Sequence, residues 1–198
     1  MRVIAGKYRT RTLLAPAGMD TRPTSDRLRE TLFNVLENGP VNRVCGATMA
    51  DLFAGSGAVG IEALSRGAER VIFVEQSAVA LEVLKGNLSR LGLRDEVAVE
   101  KRSVADWLRR RARLTDAPQA AKSRCDLVFL DPPWDAVEEY ERTLTQLGGE
   151  AAEVLAADAW VIAEHRRKSG LLETYGRLQR FRVLEQGDAG LSFYALGE

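Results

Sequence analysis

Asp51-Leu-Phe-Ala-Gly55-Ser-Gly57-Ala-Val-Gly60 is the stretch on which the reading of this chain turns. The apolar run from Thr48 to Phe53 reads as a buried strand, and from Ala58 the residues Ile61, Leu64 and Ala68 recur on one side of a helix. The glycines fall in the turn between the two. Without a Cβ, Gly55 and Gly57 can adopt backbone angles closed to other residues and let a ligand approach the main chain. The N–H groups that open the helix then face that ligand. Downstream, Arg70-Val-Ile-Phe-Val-Glu75 reads as a second buried strand tipped by a carboxylate, where a doubly wound sheet places its ribose-binding acid. The pattern is that of a nucleoside-cofactor site, with Phe53, Ala54, Gly55, Ser56 and Gly57 in the turn and Glu75 and Gln76 at the second strand end.

Gly55-x-Gly57-x-x-Gly60 also satisfies the dinucleotide fingerprint. Asp51 tips the choice. A carboxylate just before the turn repels a pyrophosphate but suits a cationic amino group, such as that of the methionine part of S-adenosylmethionine. The plainer role for Asp51 is a side chain that caps the turn.

At 198 residues the chain fits one domain, able to bury roughly 70% of its unfolded surface. Hydrophobic content of 45% with 28% charge is that of a globular protein. Neither a membrane-length apolar stretch nor a signal-peptide pattern is present, so a cytoplasmic location with no membrane partner is expected. Cys45 and Cys125 lie far apart and the chain has one histidine, so neither zinc, nor any other metal, nor a disulfide is expected.

The net charge of zero argues against indiscriminate nucleic-acid binding, yet residues 1–43 hold eight Arg and Lys against four acids. A basic terminus on an acidic body suggests a local anionic partner. Arg2 to Leu14 reads as a β-hairpin whose polar positions include Lys7, Arg9 and Arg11. A helix opens after Pro23, with Thr24 or Ser25 as N-cap, and carries Leu28, Leu32, Val35 and Leu36 inward. Thr24 is placed to reach the cofactor.

Further helix and strand patterns alternate to the end of the chain. A helix spans Ser77 to Leu91, and a third strand runs from Glu96 to Glu100. Ser103 and Val104, just beyond it, are candidates for the adenine edge. A helix through Trp107 and Leu108 leads into a basic stretch from Arg109 to Arg124. Cys125 to Leu130 reads as a fourth buried strand, followed by a helix from Val137 to Leu147, a second helix to Ala157 and a strand at Trp160 to Ala163. The C-terminus reads as an antiparallel edge hairpin of Arg180 to Glu185 and Ser192 to Leu196. His165 lies beside Arg166-Arg167-Lys168, where a surface or substrate-contacting role fits better than that of a general base. The hairpin, Arg22, Arg109, Arg110, Arg166 and Arg167 are the candidate RNA contacts, with an ordinary solvated face as the alternative for the hairpin and the basic stretch, and the hairpin and the Arg109 to Arg113 run are expected to flank the crevice.

The fourth strand delivers Asp131-Pro132-Pro133-Trp134 to the carboxyl edge of the sheet, where ligands sit in open α/β folds. Two prolines fix φ and remove two donors, leaving carbonyls that can only accept. Asp131 adds an acceptor-only carboxylate, and Trp134 offers a flat face for a base. Together they suit an exocyclic amine on a nucleobase. Such a nitrogen is a poor nucleophile because its lone pair is delocalised. Two acceptors gripping its N–H bonds favour a pyramidal nitrogen and aim its lone pair at an electrophilic methyl group.

Asp-Pro-Pro plus an aromatic, after a glycine turn and an acidic strand end, resembles the amino-group methyltransferases of the S-adenosylmethionine-dependent Rossmann-like class. More narrowly, Arg2-Val-Ile-Ala-Gly6, Thr21-Arg-Pro-Thr24, Asp26-Arg-Leu-Arg-Glu30, Leu32-Phe-Asn34, Asp51 to Gly57, Glu62-Ala-Leu-Ser-Arg-Gly67 and Asp131 to Trp134 together resemble the bacterial small-subunit rRNA guanine-N2 methyltransferases of the RsmD type. That resemblance covers the whole chain. It implies an α/β fold with a mostly parallel seven-stranded sheet, an antiparallel C-terminal edge hairpin and an N-terminal β-hairpin extension. Residues 1–20 then form the basic extension and residues 21–198 the catalytic domain. It also implies methyl transfer from S-adenosylmethionine to one guanine N2 of 16S rRNA, on the assembled 30S subunit, by a monomer that releases S-adenosylhomocysteine. Carried onto this sequence, Asp51, Gly55 and Gly57 line the methionine part, Glu75 the ribose, and Asp131, Pro132, Pro133 and Trp134 the target base. Trp134 stands where relatives often have Phe or Tyr, and Ser103 where they often have a more polar side chain.

Three other functions share some of these motifs. Adenine-N6 methylation of DNA is compatible with Asp-Pro-Pro-Trp alone, although the chain has no room for a separate target-recognition domain. A dehydrogenase-type nucleotide-binding domain is compatible with Gly55 to Gly60, and a non-catalytic RNA-binding module with the basic stretches.

Overall fold

The computed structural model describes residues 1–15, 25–113, 124–168 and 170–197. Helix α1 (Asp26–Glu37) leads into strand β1 (Thr48–Leu52), α2 (Ala58–Ser65), β2 (Arg70–Glu75), α3 (Ala78–Leu91), β3 (Val97–Lys101) and α4 (Val104–Ala112). Then follow β4 (Cys125–Leu130), α5 (Val137–Gly148), β5 (Leu155–Arg166), β6 (Thr174–Tyr175), β7 (Leu178–Gln186) and β8 (Ala189–Leu196). The strands form one sheet in the order β3-β2-β1-β4-β5-β8-β7-β6. Strands β1 to β5 are parallel, and β8, β7 and β6 complete the sheet antiparallel.

Alternation along the strands sends side chains to two cores. Met49, Leu127 and Ile162 face α1, α2 and α3, in a cluster with Leu32, Phe33, Ile61, Phe73 and Leu84. Ala50, Val128 and Val161 face α4 and α5, with Trp107, Leu108, Tyr140 and Leu144. Ser77 caps α3 through its hydroxyl and Gly92 closes it in the left-handed conformation, so that helix ends as its sequence predicts.

Four expectations are corrected. The sheet has eight strands rather than seven, the extra one being the two-residue β6. No second helix runs to Ala157. A single 3-10 turn at Ala152–Val154 precedes β5, which begins at Leu155 and is far longer than Trp160 to Ala163. The N-terminal hairpin is paired only near its ends, by the antiparallel bridge of Arg2 with Thr12 and by the bonds from Val3 N–H to the Arg11 carbonyl, Thr10 N–H to the Val3 carbonyl and Leu13 N–H to the Met1 carbonyl. The Ile4 and Ala5 N–H groups donate instead to the buried Glu62 carboxylate, at 2.8 and 3.0 Å, so they cannot build a ladder.

The fourth correction concerns where that segment lies. Lys7 N–H donates to the Ser65 carbonyl at 2.7 Å, and Tyr8 N–H to the Ser65 hydroxyl at 2.9 Å. Ser65 is the last residue of α2, which starts at the carboxyl edge and runs back across the sheet. The turn bearing Lys7 therefore sits toward the amino edge, away from the crevice, while Arg11 lies on the arm that pairs with Val3 and returns toward the glycine turn. Helix α4 runs the same way from Ser103, carrying Arg109 and Arg110 toward that edge as well, and Arg109 is paired with Asp106. The expected boundary between residues 20 and 21, Arg22 and Thr24 fall outside the described residues. Val3 and Leu13 nonetheless join the first core.

Candidate active site

Strand order reverses between β1 and β4, and this is where a doubly wound sheet opens its ligand crevice. Leu52 on β1 is in register with Leu130 on β4, so the chain leaves both strands side by side. From β1 it enters Phe53 to Gly57, and from β4 it enters Asp131 to Trp134. The sequence separates these segments by more than seventy residues; the sheet brings them together.

The glycine turn is fastened at several points. Ala54 N–H donates to the Val74 carbonyl at the end of β2, and Gly57 N–H to the Ala54 carbonyl. Glu75 accepts from Gly55 N–H at 2.8 Å and from Ser77 N–H at 2.7 Å, so it shapes the turn as well as tipping the strand. Buried Asn87 on α3 donates to the Ser56 carbonyl at 2.9 Å and bonds both backbone groups of Leu14. Phe53, Gly55 and Gly57 all have positive φ. The two glycines differ in surroundings. A Cβ on Gly57 would lie 2.3 Å from Leu84 Cδ1, whereas one on Gly55 would meet nothing nearer than the Phe53 carbonyl oxygen at 3.9 Å. Gly57 is therefore required by packing, and Gly55 keeps a space open over the turn. Gly57 is the N-cap of α2 and offers no side-chain cap, which leaves the helix dipole turned toward that space.

Asp51 is buried and accepts from Gly60 N–H at 2.9 Å, the capping role its position allows. Burial, opposed by that hydrogen bond and reinforced by the Glu75 charge, pushes its pKa up to about 7. The half-buried Asp131 is raised well above the carboxylate range, first by desolvation, then by Glu164 and Asp51. The register explains the grouping. Leu130 pairs with Ala163, so one residue further Asp131 comes beside Glu164. Three neighbouring strand ends thus bring Asp51, Asp131 and Glu164 to one place, in surroundings that favour a cationic ligand and disfavour a pyrophosphate.

Tyr140 on α5 locks the same edge. Its hydroxyl lies 2.9 Å from the Glu164 carbonyl oxygen and 3.2 Å from that of Pro132, and its one proton is shared between them. Pro132 O keeps a second lone pair for another donor. Pro132 is buried, Pro133 exposed and Trp134 half-buried. The Arg166 guanidinium lies 5.4 Å from the Trp134 ring centroid and is held by Asp135 at 3.1 Å. Arg166 therefore stands at the carboxyl edge beside the motif, while Arg167 is paired with Glu185 at 2.6 Å.

Two expectations change here. His165 is buried: one ring nitrogen lies 2.7 Å from the Arg166 carbonyl and the other 2.8 Å from the Ser192 hydroxyl. Desolvation lowers its pKa, so it is a neutral structural group and not a surface one. Ser103 caps α4, accepting from Asp106 N–H and donating to the Asp106 carboxylate, and Val104 packs in the second core. Their side chains are thus committed, and any adenine contact there falls to backbone groups. Gln76 is exposed just beyond Glu75. Tyr140, Glu164 and Asn87 were missed in the sequence. Tyr140 shares an inward stripe with Leu144 and Leu147, and Asn87 is polar among inward Leu84 and Leu88; those were the available signals.

The family model described as conserved hypothetical protein 95 matches residues 1–195. The chain belongs to this family. Among members of the RsmD type, it is 34% identical over 173 residues to ribosomal RNA small subunit methyltransferase D of Escherichia coli K12, covering 86% of this chain and 77% of that protein. It is 38% identical over 194 residues to YlbH of Bacillus subtilis, itself only provisionally named an rRNA methyltransferase, with 98% of each chain covered. The solved structure of E. coli yhhF, provisionally named a methyltransferase, superposes with a TM-score of 0.79 at 30% identity, covering 100% of this chain and 98% of that one. The Rossmann-like methyltransferase fold of the family is thus the fold of this chain.

Proposed function

We propose that this protein transfers a methyl group from S-adenosylmethionine to the N2 amine of one guanine in 16S rRNA, acting as a cytoplasmic monomer on the assembled small subunit. The observation that carries the reading is the pairing of β1 with β4, which sets Asp131 and Pro132 beside the glycine turn. Family membership supports rRNA as the substrate. When bound, the cofactor supplies an electrophilic methyl carbon on a sulfonium.

The protein's own groups do the rest. Gly55 leaves room over the turn, the α2 N-terminus and Glu75 flank it, and Asp51 meets the ammonium of the methionine part. The Asp131 carboxylate and the free lone pair of Pro132 O accept the two N–H bonds of the guanine amine, and Trp134 stacks on the ring. Transfer would exchange the methyl carbon–sulfur bond for a carbon–nitrogen bond, releasing S-adenosylhomocysteine and leaving the nitrogen cationic, and Asp131, already raised in pKa, would take its proton. Arg166 and Lys168 are cations beside Trp134 among the described residues. Lys7, Arg9, Arg11, Arg109 and Arg110 contact RNA, with Lys7, Arg109 and Arg110 toward the far edge and remote from the target nucleotide, which favours a folded particle that spans both edges.

Incubation with small subunits from a strain lacking this activity, with methyl-labelled cofactor, tests the reading. Mass spectrometric mapping should find label on N2 of a single guanine. Unlabelled rRNA, or label on an adenine N6, would overturn it.

A further inference from the structure

On the α5 side of Trp134 lies a cavity of about 430 Å³, within the range of small-ligand sites. Trp134, Val137, Leu172 and Tyr175 supply apolar lining, and Arg166 and Lys168 line it together with the acids Asp135 and Glu141. Val137 and Leu172 are 63% and 56% exposed, large apolar side chains left to water at the mouth. The Tyr175 hydroxyl accepts from Leu172 N–H at 3.0 Å, so the wall they share is fixed. One face of Trp134 is covered by Arg166, leaving a single indole face for the target base. The cavity adjoins the crevice through Trp134 and Arg166.

An apolar, aromatic lining with Lys168 and the Asp135-paired Arg166 beside it suits a nucleotide, the ring stacking inside and the phosphate toward the cations. The geometry points to a second base subsite: the nucleotide next to the target guanine is splayed from the RNA stack and received between Val137, Leu172 and Tyr175, with its phosphate on Lys168 and Arg166. This inference rests on the proposed RNA substrate and adds how that substrate is held. It supplies a way to present one base to Asp131: drawing out the neighbour opens the stack beside the target.

Two variants test it on undermethylated small subunits. Leu172→Glu should raise KM for subunits about tenfold, as expected for one lost base stack, with kcat and S-adenosylhomocysteine affinity unchanged. Leu172→p-benzoylphenylalanine should crosslink on illumination to the nucleotide immediately flanking the methylated one. An unchanged KM, a fall in kcat and cofactor affinity together, or a crosslink that is absent or remote would overturn the subsite while wild-type methylation stands. Wild-type protein that leaves the rRNA unlabelled would instead contradict the proposed function itself.

Discussion

Asp51 Oδ2 accepts the backbone N–H of Gly60 at 2.9 Å, tying the last turn of β1 to the first turn of α2 beneath the glycine loop. The bond holds a buried carboxylate whose pKa stands near 7, against an ordinary value of 3.8. Between those values the folded protein binds more protons than the unfolded chain, so this group's contribution to stability falls as pH rises from about 4 to about 7. Asp51→Asn keeps an acceptor for Gly60 and removes the charge. It should be more stable than wild type by about 1–3 kcal/mol at pH 8, and by much less at pH 4, in urea unfolding. It should also bind S-adenosylmethionine more weakly, since the ammonium loses its counter-charge.

The two turn glycines should respond differently to alanine. Gly57→Ala forces a methyl against Leu84 at φ +77° and should cost about 3 kcal/mol, combining left-handed strain with overpacking. Gly55→Ala, at φ +55° with open space around it, should cost about 1 kcal/mol. It should nonetheless lower S-adenosylhomocysteine affinity, because the methyl fills the space over the turn. Parallel urea titration and calorimetry separate the two effects.

Ser103→Ala removes a helix cap and should cost about 1 kcal/mol of stability. Cofactor affinity should hold within about twofold, because only backbone groups remain for adenine there. A tenfold loss in calorimetry would restore the side-chain contact expected from the sequence.

Much of this architecture was legible because it rests on backbone chemistry. The apolar runs of β1, β2 and β4, the Ser77 and Gly92 caps and the glycine turn follow from local residue types. What stayed hidden was decided by distant partners. Glu62 reads as one acid in an otherwise apolar helix, yet its carboxylate takes the N–H groups of Ile4 and Ala5 and so shortens the paired part of the N-terminal hairpin. Glu164 sits inside an ordinary strand pattern, and only register sets it beside Asp131. The Tyr140 hydroxyl is invisible to a hydrophobic stripe, and β6 is too short to show periodicity. At the candidate site the motif Asp131 to Trp134 stands out in the sequence, whereas the supports around it do not.

Tyr140→Phe removes the donor shared by Glu164 O and Pro132 O. Two buried carbonyls lose that partner, so stability should fall by about 1–2 kcal/mol. With Pro132 O less firmly aimed, kcat should fall on the order of tenfold to a hundredfold while S-adenosylhomocysteine affinity is kept. Equal losses in kcat and cofactor affinity would mean that Tyr140 merely supports the fold.

The claim on which the account stands is that Asp131, in its ionised form, grips the target amine beside the methyl donor. Single-turnover methylation of undermethylated small subunits by wild type and Asp131→Asn, measured across pH, tests it most directly. The wild-type rate should rise with pH through a value well above the ordinary carboxylate range, because burial and the charges of Glu164 and Asp51 hold Asp131 protonated until then. Asp131→Asn should be slower on the order of 10²–10³-fold, with that pH dependence lost and cofactor binding intact. An Asp131→Asn enzyme that keeps the wild-type rate and the same pH profile would contradict the account.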